Sequence, residues 1–198
     1  MNFVENSAGA FLSFKVSNQF AENIKIGDSI ATNGCCLSVI EMTTVEDGVS
    51  LSFDLSNETI ERCSFNQKQD FFNLEKALKM GDRMDGHMVS GHVDGFALVD
   101  SIKTEDEFTL MNFKLAQEQQ KKIAPFLVEK GSVAIHGVSL TVNHVEDLGE
   151  ATFFGVSLIP ITLKETNLGQ LSVGSQVNVE ADLMAKYFIR YKNFNNMG

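Results

Sequence analysis

The side chains best suited to chemistry in this chain fall in two short stretches, NGCCLSV (33–39) and GHMVSGHVDG (86–95). The thiol of Cys36 and the imidazole of His92 could each give or take a proton in general acid–base chemistry. His87 lies five residues before His92, so the two rings face opposite ways in a regular strand. That spacing argues against a zinc site, and the sequence contains neither C-x-x-C nor H-E-x-x-H. The stretches therefore indicate acid–base or binding chemistry without a metal.

The chain contains an internal repeat, which shows as an ordered series of matches between its two halves. When the sequence is shifted by 103 residues, residues 30–64 align with residues 133–167, and six aligned pairs are identical. At an offset of 105 FNLE matches VNVE, and at an offset of 99 SFKV matches NFKL. Differences in loop length between two copies would produce such small changes of offset. The series predicts a tandem duplication with its seam near KMGDRMDG (79–86).

The repeat separates the roles of the neighbouring residues Cys35 and Cys36. Adjacent side chains on a strand point to opposite faces. Cys35 matches Val138, so we expect it in the core as a small apolar residue. Cys36 matches Ser139, on a face that carries small polar groups in both copies. The other members of that face are Ser38 and Thr141. It is either a binding surface or a solvated outer strand face, and a vicinal disulfide or metal pair is not expected.

Composition and charge argue against several classes of function. The net charge is −10, so the surface is too acidic to neutralise phosphates, and no nucleic-acid partner is expected. No window approaches 18 continuous apolar residues, so no membrane span is expected. The three cysteines are an odd number, and the first ten residues lack the features of a secretory signal. Free thiols and a cytoplasmic location are therefore expected.

Most of the chain has the alternating pattern of short β-strands. Segments such as CCLSVIEM and TFFGVSL are rich in β-formers, and breaks with Gly or Asp separate them at roughly even spacing. This pattern predicts small antiparallel barrels. Residues 116–129 and 182–194 look helical instead. In the second of these, Tyr187, Tyr191 and Phe194 form an apolar stripe, which could pack on its own domain or against a partner subunit.

A resemblance to the riboflavin synthase alpha chain family rests on motifs found in family order between about Ser29 and Tyr187. They are NGCCLSV, FDLSNETI, GHMVSGHVDG, GVSLTVN, SLIPITLKETNLG and VNVEADLMAKY. The resemblance implies an all-β fold with two tandem antiparallel six-stranded Greek-key β-barrels and a C-terminal α-helix. It places the first lumazine-binding barrel at 1–80, the second at 84–183, and an oligomerisation helix and tail at 184–198.

The resemblance also implies a reaction between two molecules of 6,7-dimethyl-8-ribityllumazine. One molecule transfers a four-carbon unit to the other, which yields riboflavin and 5-amino-6-ribitylaminouracil without a metal or cofactor. Each active site would lie between the first barrel of one subunit and the second barrel of another in a homotrimer, and lumazine synthase is a candidate partner. Correct orientation of two reactants can lower a barrier by several kcal/mol, and by about 7–11 kcal/mol at best.

The family's site residues can be carried over motif by motif. One lumazine ring would be held by Cys36, Leu37, Ser38, Asp54, Leu55, Ser56, Asn57, Glu58 and Thr59. The other ring would be held by Gly91, His92, Val93, Lys130, Ser139, Leu140, Thr141, Ile159, Pro160, Ile161, Thr162, Leu163 and Lys164. The candidates for proton transfer, or for polarising a ring as charge develops, are Cys36, His92, Ser139, Thr141 and Asp182.

The chain departs from the family pattern at His136, where Asp is usual, and at Ile161, where Glu is usual. Each change removes a carboxylate from the second barrel and bears on the ring contacts expected there. The family also begins with MFTG and a first strand. Ser90 in the second copy lies 24 residues before Lys114, but 24 residues before Lys15 lies outside the chain. The first barrel is therefore expected to lack its opening strand.

Two other functions stay open. Antenna proteins of the same superfamily hold a lumazine or flavin and catalyse nothing. They tend to lose the site-like residues of one barrel, whereas both copies here keep a small polar pair. The other alternative is an inactive chain, shortened at its N-terminus. Formation of riboflavin from the lumazine by the purified protein would separate these functions.

Overall fold

Two six-stranded antiparallel sheets follow one another along the chain in the computed structural model, which describes residues 1–6, 9–65 and 71–196. The first repeat contains β1 (Asn2–Asn6), β2 (Gly9–Val16), β3 (Ser29–Thr32), β4 (Cys35–Val45), β5 (Gly48–Ser56) and β6 (Leu74–Lys76). The second repeat contains β7 (Gly95–Glu105), β8 (Phe108–Ala116), β9 (Ser132–Ile135), β10 (Val138–Leu148), β11 (Ala151–Leu158) and β12 (Gln176–Ala181). The α-helices in these ranges are α1 (Asn18–Ala21), α2 (Asn57–Arg62), α3 (Glu118–Ile123), α4 (Pro160–Glu165) and α5 (Leu183–Asn195).

The second sheet closes into a barrel, whereas the first stays open on one side. In the barrel the neighbouring strands follow the order β10-β11-β8-β7-β12-β9. The first sheet has the order β1-β2-β5-β4-β3-β6, which is the same Greek-key order with its two ends unjoined. The predicted all-β fold class, with two tandem antiparallel Greek-key units and a C-terminal helix, is confirmed. The predicted seam falls between β6 and β7, and the domain boundaries themselves stay a prediction.

The structure corrects the expectation for the opening strand of the first repeat. Asn2–Asn6 forms β1 and pairs with β2, with Asn2 opposite Ser13. In the second repeat Ser101 pairs with Asn112 in the same way, so β1 corresponds to the second half of β7. The segment NFVEN contains the β-formers Phe3 and Val4, and Phe3 packs against the core of the first repeat. The first half of β7, which pairs with β12, has no counterpart among the described residues.

The alternation predicted around the cysteine pair is confirmed on β4. Cys35, Leu37 and Val39 are buried in the core of the first repeat, whereas Cys36 and Ser38 are exposed. Cys35 also hydrogen-bonds the thiol of Cys63, and this contact, together with burial, raises the pKa of Cys63. Both thiols are buried and free. Cys35 is therefore a core residue, as its match to a valine indicates.

Two asparagine side chains join the repeats in a reciprocal way. Asn178 of β12 accepts a hydrogen bond from the N–H of Ser64 and donates one to the carbonyl of Asn33, both at 2.8 Å. Asn73, its match in the first repeat, accepts one from the N–H of Asn167 at 2.8 Å and donates one to the carbonyl of His136 at 3.1 Å. Matched residues therefore bond matched partners. These reciprocal bonds indicate an approximate two-fold relation between the repeats. The side chains of the two asparagines link one repeat to the other.

Helix α5 is fixed at its start and leaves its apolar stripe exposed. Asp182 is the N-cap, and its carboxylate accepts a hydrogen bond from the N–H of Met184 at 2.8 Å. Further along, Lys186 forms a half-buried ion pair of 2.7 Å with Asp94. The side chains of the stripe, Tyr187, Tyr191 and Phe194, are 66–69% exposed. The stripe therefore does not pack on its own domain. No helix in the described ranges is long and apolar enough to cross a bilayer.

Candidate functional site

The small polar residues of the first repeat lie on the outer surface of its sheet. On β4, Cys36 and Ser38 are exposed, and Leu37 between them is buried in the core. On the neighbouring strand β5, Asp54 is exposed and Leu55 is buried. Leu37 and Leu55 thus support the sheet from inside, while the other three face outward. We call Cys36, Ser38 and Asp54 the first polar face.

The residues that follow β5 begin the short helix α2, and their contacts are mostly local. Ser56 is the N-cap, since its Oγ accepts a hydrogen bond from the N–H of Thr59 at 3.2 Å. Glu58 pairs with Arg62 at 2.9 Å in an exposed position, where an ion pair adds little stability. Asn57 is exposed. Ser56 therefore has a structural role, whereas Glu58 and Thr59 reach the cavity described below.

Glu180 on β12 holds the loop before β7 against the first repeat. This carboxylate is 2% exposed. Its Oε1 accepts hydrogen bonds from the N–H (2.7 Å) and the hydroxyl (2.6 Å) of Ser90, and its Oε2 accepts one from the N–H of Gly91 (3.0 Å). The carbonyl of Gly91 accepts a hydrogen bond from the N–H of Cys36 at 2.8 Å. The loop therefore bridges β12 and the start of β4.

Gly91 is required at the point where this loop meets Cys36. Its φ is +81°, a region that favours glycine. A Cβ at this position would lie 2.7 Å from the Cβ of Cys36 and 3.1 Å from its backbone nitrogen. Only a residue without a side chain allows the two backbones to come this close. The exposed ring of His92 follows directly, so the glycine also sets the position of His92 relative to Cys36.

A cavity of about 300 Å³ lies where α2, the start of β4 and the loop before β7 meet. The predicted site residues that line it are Cys36, Glu58, Thr59, Gly91, His92 and Val93. Arg62 and Lys186 also line it, and each is paired with a carboxylate. The structure therefore places Gly91, His92 and Val93 of its own chain with the first set of residues, whereas the resemblance assigned them to the second ring. The hydrogen bond between Cys36 and Gly91 explains this grouping.

In the second repeat, Ser139 is paired with His87. The Nδ1 of His87 lies 2.7 Å from the Oγ of Ser139, and the N–H of His87 donates to the same oxygen at 3.3 Å. Burial lowers the pKa of His87, while the carboxylates of Asp182 and Glu180 act in the opposite direction. A cavity of about 400 Å³ between the repeats is lined by Cys36, His87 and Ser139, among others. Sequence reasoning passed over His87, because spacing along the chain gives no sign of a contact 52 residues away.

The other residues that the resemblance assigns to the second lumazine ring are spread over the surface of the second repeat. Thr141 and Lys130 are exposed, and Leu140 is half-buried against the core. Ile159 and Ile161 are 47% and 53% exposed at the start of α4. The other residues predicted there are Pro160, Thr162, Leu163 and Lys164, of which Thr162 and Leu163 are half-buried. None of these lines the cavity beside Cys36. Which of them touch a ligand stays a prediction.

Two further residues singled out in the sequence, His136 and Asp182, have hydrogen-bond partners within the fold. His136 is 1% exposed, and burial lowers its pKa to about 4. It lies in the interface between the repeats, where its Nδ1 accepts a hydrogen bond from the N–H of Asn178 at 3.3 Å. Asp182 caps α5 and lies close enough to His87 to affect its pKa. Among the described residues, no group of His, Cys, Asp and Glu side chains has the arrangement of a metal site.

Fold and surface together define a protein with a duplicated Greek-key β-unit, of which the second is a closed barrel, and with small polar residues at matched positions of each repeat. The chain belongs to the family of the lumazine binding domain, whose model matches residues 3–77 and 90–182. The resemblance found in the sequence is thereby confirmed, and so is the duplication, since the domain is matched twice.

Relatives of known function are similar over most of their length. The chain is 41% identical over 170 residues to the riboflavin synthase of Photobacterium phosphoreum, covering 85% of this chain and 72% of that one. It is 37% identical over 182 residues to the riboflavin synthase of Bacillus subtilis, covering 91% and 79%. Among solved structures, LumP complexed with 6,7-dimethyl-8-(1'-D-ribityl) lumazine superposes with a TM-score of 0.73 at 23% identity, covering 91% and 92%. At that identity the last comparison supports the fold alone.

Proposed function

We propose that this chain is a riboflavin synthase, which converts two molecules of 6,7-dimethyl-8-ribityllumazine into riboflavin and 5-amino-6-ribitylaminouracil. The relatives of that name and the two lumazine binding domains support the proposal. One observation carries it furthest: each repeat keeps small polar residues at matched outer positions, Cys36 with Ser139 and Ser38 with Thr141. A reaction between two identical substrates needs two related binding surfaces, and a tandem duplication supplies them.

In the proposed mechanism the first polar face holds one lumazine, and the outer face of a second repeat holds the other. The two rings meet between different subunits of a homotrimer, as the resemblance implies. The exposed aromatic stripe of α5 supports such an assembly, because a large apolar surface is usually covered by a partner. Holding the rings in register supplies most of the rate enhancement, up to about 7–11 kcal/mol for ideal orientation.

The proposed chemical roles follow from the groups at each face. His92 and Cys36 line one cavity, and their imidazole and thiol can move protons to and from the reacting ring and its methyl group. The hydroxyls of Ser139 and Thr141 can donate hydrogen bonds where negative charge develops on the second ring. Asp182, at the start of α5, acts through His87, whose Nδ1 is 2.7 Å from the Oγ of Ser139.

A second candidate function is binding without catalysis. Solved structures that superpose on this chain include those of LumP complexed with a lumazine, with riboflavin and with flavin mononucleotide. The same fold can therefore serve a protein that holds such molecules. The retention of polar residues in both repeats favours the enzyme, since binding a single ligand would need only one face.

Incubation of the purified 198-residue chain with 6,7-dimethyl-8-ribityllumazine, followed by chromatography, tests the proposal. Riboflavin and 5-amino-6-ribitylaminouracil should form in equal amounts, and Cys36→Ser should slow their formation. Saturable quenching of lumazine fluorescence without product would support the binding function instead. Neither binding nor product would contradict both functions and leave the inactive chain as the explanation.

A further inference from the structure

We propose that Cys35 and Cys63 form a peroxide-sensitive thiol pair, which closes into a reversible disulfide and thereby changes the shape of the cavity beside Cys36 and His92. The oxidant is a small hydroperoxide, and a thiol reductant restores the pair. Formation of the disulfide does not depend on the proposed function. Its effect on turnover rests on that function.

The two thiols come together from separate segments of the first repeat. Cys35 is the first residue of β4, and Cys63 is the C-cap of α2. Their side chains are in hydrogen-bond contact within one core, and they are 6% and 3% exposed. Both are free thiols. Because the side chains already meet, only a small movement brings the sulfur atoms to the disulfide length of about 2.05 Å.

The cavity of about 300 Å³ gives a small oxidant a route to this pair. Its wall contains all three cysteines of the chain, the two buried ones and the exposed Cys36. A space of this volume admits a molecule as small as hydrogen peroxide, since one water takes up about 30 Å³ in the liquid. The much bulkier glutathione disulfide should react with Cys36 alone.

Charge and burial act in opposite directions on Cys63. The hydrogen bond with Cys35 and burial raise the pKa of Cys63, whereas the nearby guanidinium of Arg62 lowers it. The thiolate is the form that reacts with oxidants. The pair should therefore stay reduced when little oxidant is present and respond more slowly than the exposed thiol of Cys36.

The reaction balances with hydrogen peroxide as the oxidant. One sulfur of the pair releases its proton to water and attacks a peroxide oxygen, and the O–O bond breaks to give a sulfenic acid and one water. The second sulfur attacks the sulfenic sulfur, the S–O bond breaks, and the hydroxide leaves as a second water with the proton of the second thiol. Two thiols and one peroxide thus give one disulfide and two waters.

The second repeat shows that the fold does not require thiols at these positions. Val138 matches Cys35 and Thr166 matches Cys63, and both line the corresponding cavity of about 380 Å³. Thr166 is the C-cap of α4, and its N–H donates to the carbonyl of Thr162 at 3.1 Å, as the N–H of Cys63 donates within α2. The first repeat therefore has a pair that can be cross-linked, at positions where valine and threonine also fit.

Closure of the pair should move the wall of the cavity. Cys35 is adjacent to Cys36 on β4, and Cys63 ends the helix whose residues Glu58 and Thr59 line the same space. A misplacement of about 1 Å can cost a reaction about a hundredfold in rate. We expect turnover of the oxidised chain to fall at least about tenfold.

Mass spectrometry of the 198-residue chain after treatment with hydrogen peroxide, alkylation and proteolysis without reduction tests the pair. We expect a peptide linked through Cys35 and Cys63 that disappears with dithiothreitol, together with a reversible loss of turnover. The link should persist in Cys36→Ser, which removes the neighbouring thiol, and should not form with glutathione disulfide. A link that requires Cys36, the absence of any link, or a link without loss of turnover would overturn the proposal.

Cys35→Val and Cys63→Thr are the matched controls, because each introduces the residue that the second repeat has at the same position. Both variants should keep their turnover and lose the part of the peroxide effect that dithiothreitol reverses. They retain Cys36 and the methionines, so they measure the damage that peroxide causes elsewhere. An equal and reversible loss of turnover in the parent and both variants would overturn the role of this pair.

The mass of the linked peptide is measured without turnover, so the two proposals fail separately. If the untreated chain forms no riboflavin, the proposed function fails while the disulfide is still tested. The change in the cavity is then obtained from the rate at which iodoacetamide alkylates the remaining free Cys36. A rate altered by closure of the pair supports the inference, and an unaltered rate in the linked protein overturns it.

Discussion

The Nδ1 of His136 accepts a hydrogen bond from the N–H of Asn178 at 3.3 Å, in the way that the Oδ1 of Asn33 accepts one from Asn73 at 2.8 Å. A histidine thus takes the place of an asparagine in the approximate two-fold interface between the repeats. The ring must be neutral, because a protonated imidazole has no acceptor to offer. Burial enforces this by lowering the pKa of His136 to about 4.

The stability of the protein should therefore fall at acid pH. The unfolded state binds a proton at His136 near pH 6.5 and the folded state only near pH 4, so protonation favours unfolding between these values. The contribution is complete above pH 6.5 and decreases as the pH falls towards 4. Between pH 7.5 and pH 5 we expect a loss of about 2 kcal/mol in the free energy of unfolding, measured with urea.

The variant His136→Asn isolates this effect from the titration of other groups. Asparagine tolerates the positive φ of 48° at this position and offers an oxygen acceptor, as Asn33 does. The variant should keep the stability of the parent at pH 7.5 and lose about 2 kcal/mol less on acidification. Equal losses in the two proteins would show that His136 does not titrate in this interface.

Replacement of Gly91 by alanine should damage both stability and the site. The new Cβ would lie 2.7 Å from the Cβ of Cys36, at a φ of +81°. We expect a loss of about 1–3 kcal/mol in the free energy of unfolding from the strained conformation alone, and more from the contact. Lumazine turnover should fall as well, because His92 moves relative to Cys36.

Gly174→Ala is the matched control for that variant. Gly174 has a φ of +88°, but no atom lies within 4 Å of its added Cβ. It therefore carries the conformational strain without the contact, and turnover should be retained. If both alanine variants unfold at the same urea concentration with equal turnover, the close approach between Gly91 and Cys36 is not a constraint on the site.

Replacement of Tyr187 and Tyr191 by serine should reduce the oligomeric state. Both side chains are exposed on α5, and we expect them to contact partner helices in a trimer. Deletion of residues 184–198 should have the same effect, but it also removes the ion pair between Lys186 and Asp94. The double serine variant keeps this pair and is the cleaner test. Light scattering should show particles smaller than three chains, while Arg190→Ser on the same helix should leave the mass unchanged.

The parts of the fold that could be predicted are those governed by short-range periodicity. Alternation, together with the match of Cys35 to Val138, placed Cys35 in the core and Cys36 outside it. Contacts between distant segments could not be obtained in this way. The pairing of His87 with Ser139 and that of Asn178 with Ser64 join residues 52 and 114 positions apart, and no period of the sequence records them. The opening strand was not predicted, because β1 corresponds only to the second half of β7, whereas the two repeats were matched over the full strand.

Cys36→Ser should lower lumazine turnover far more than Cys35→Ser does. Cys36 is exposed, lines the cavity that contains His92, and matches Ser139 on the second face. Cys35 is 6% exposed in the core and touches the thiol of Cys63. A serine there would bury a hydroxyl at a cost of about 1–3 kcal/mol in the free energy of unfolding. Each variant replaces one sulfur by one oxygen, and the two positions are adjacent. Each variant therefore serves as the control of the other.

Turnover and urea unfolding should be measured together on both cysteine variants. The expected pattern is crossed: Cys36→Ser keeps its unfolding midpoint and loses turnover, whereas Cys35→Ser keeps turnover per folded molecule and loses stability. The crossing is the informative result, because opposite faces of one strand serve opposite purposes, one for the core and one for the ligand. Equal losses of turnover with unchanged midpoints would mean that the outer face of β4 is no more important to the reaction than its inner face, and Cys36 would then have no place in the site.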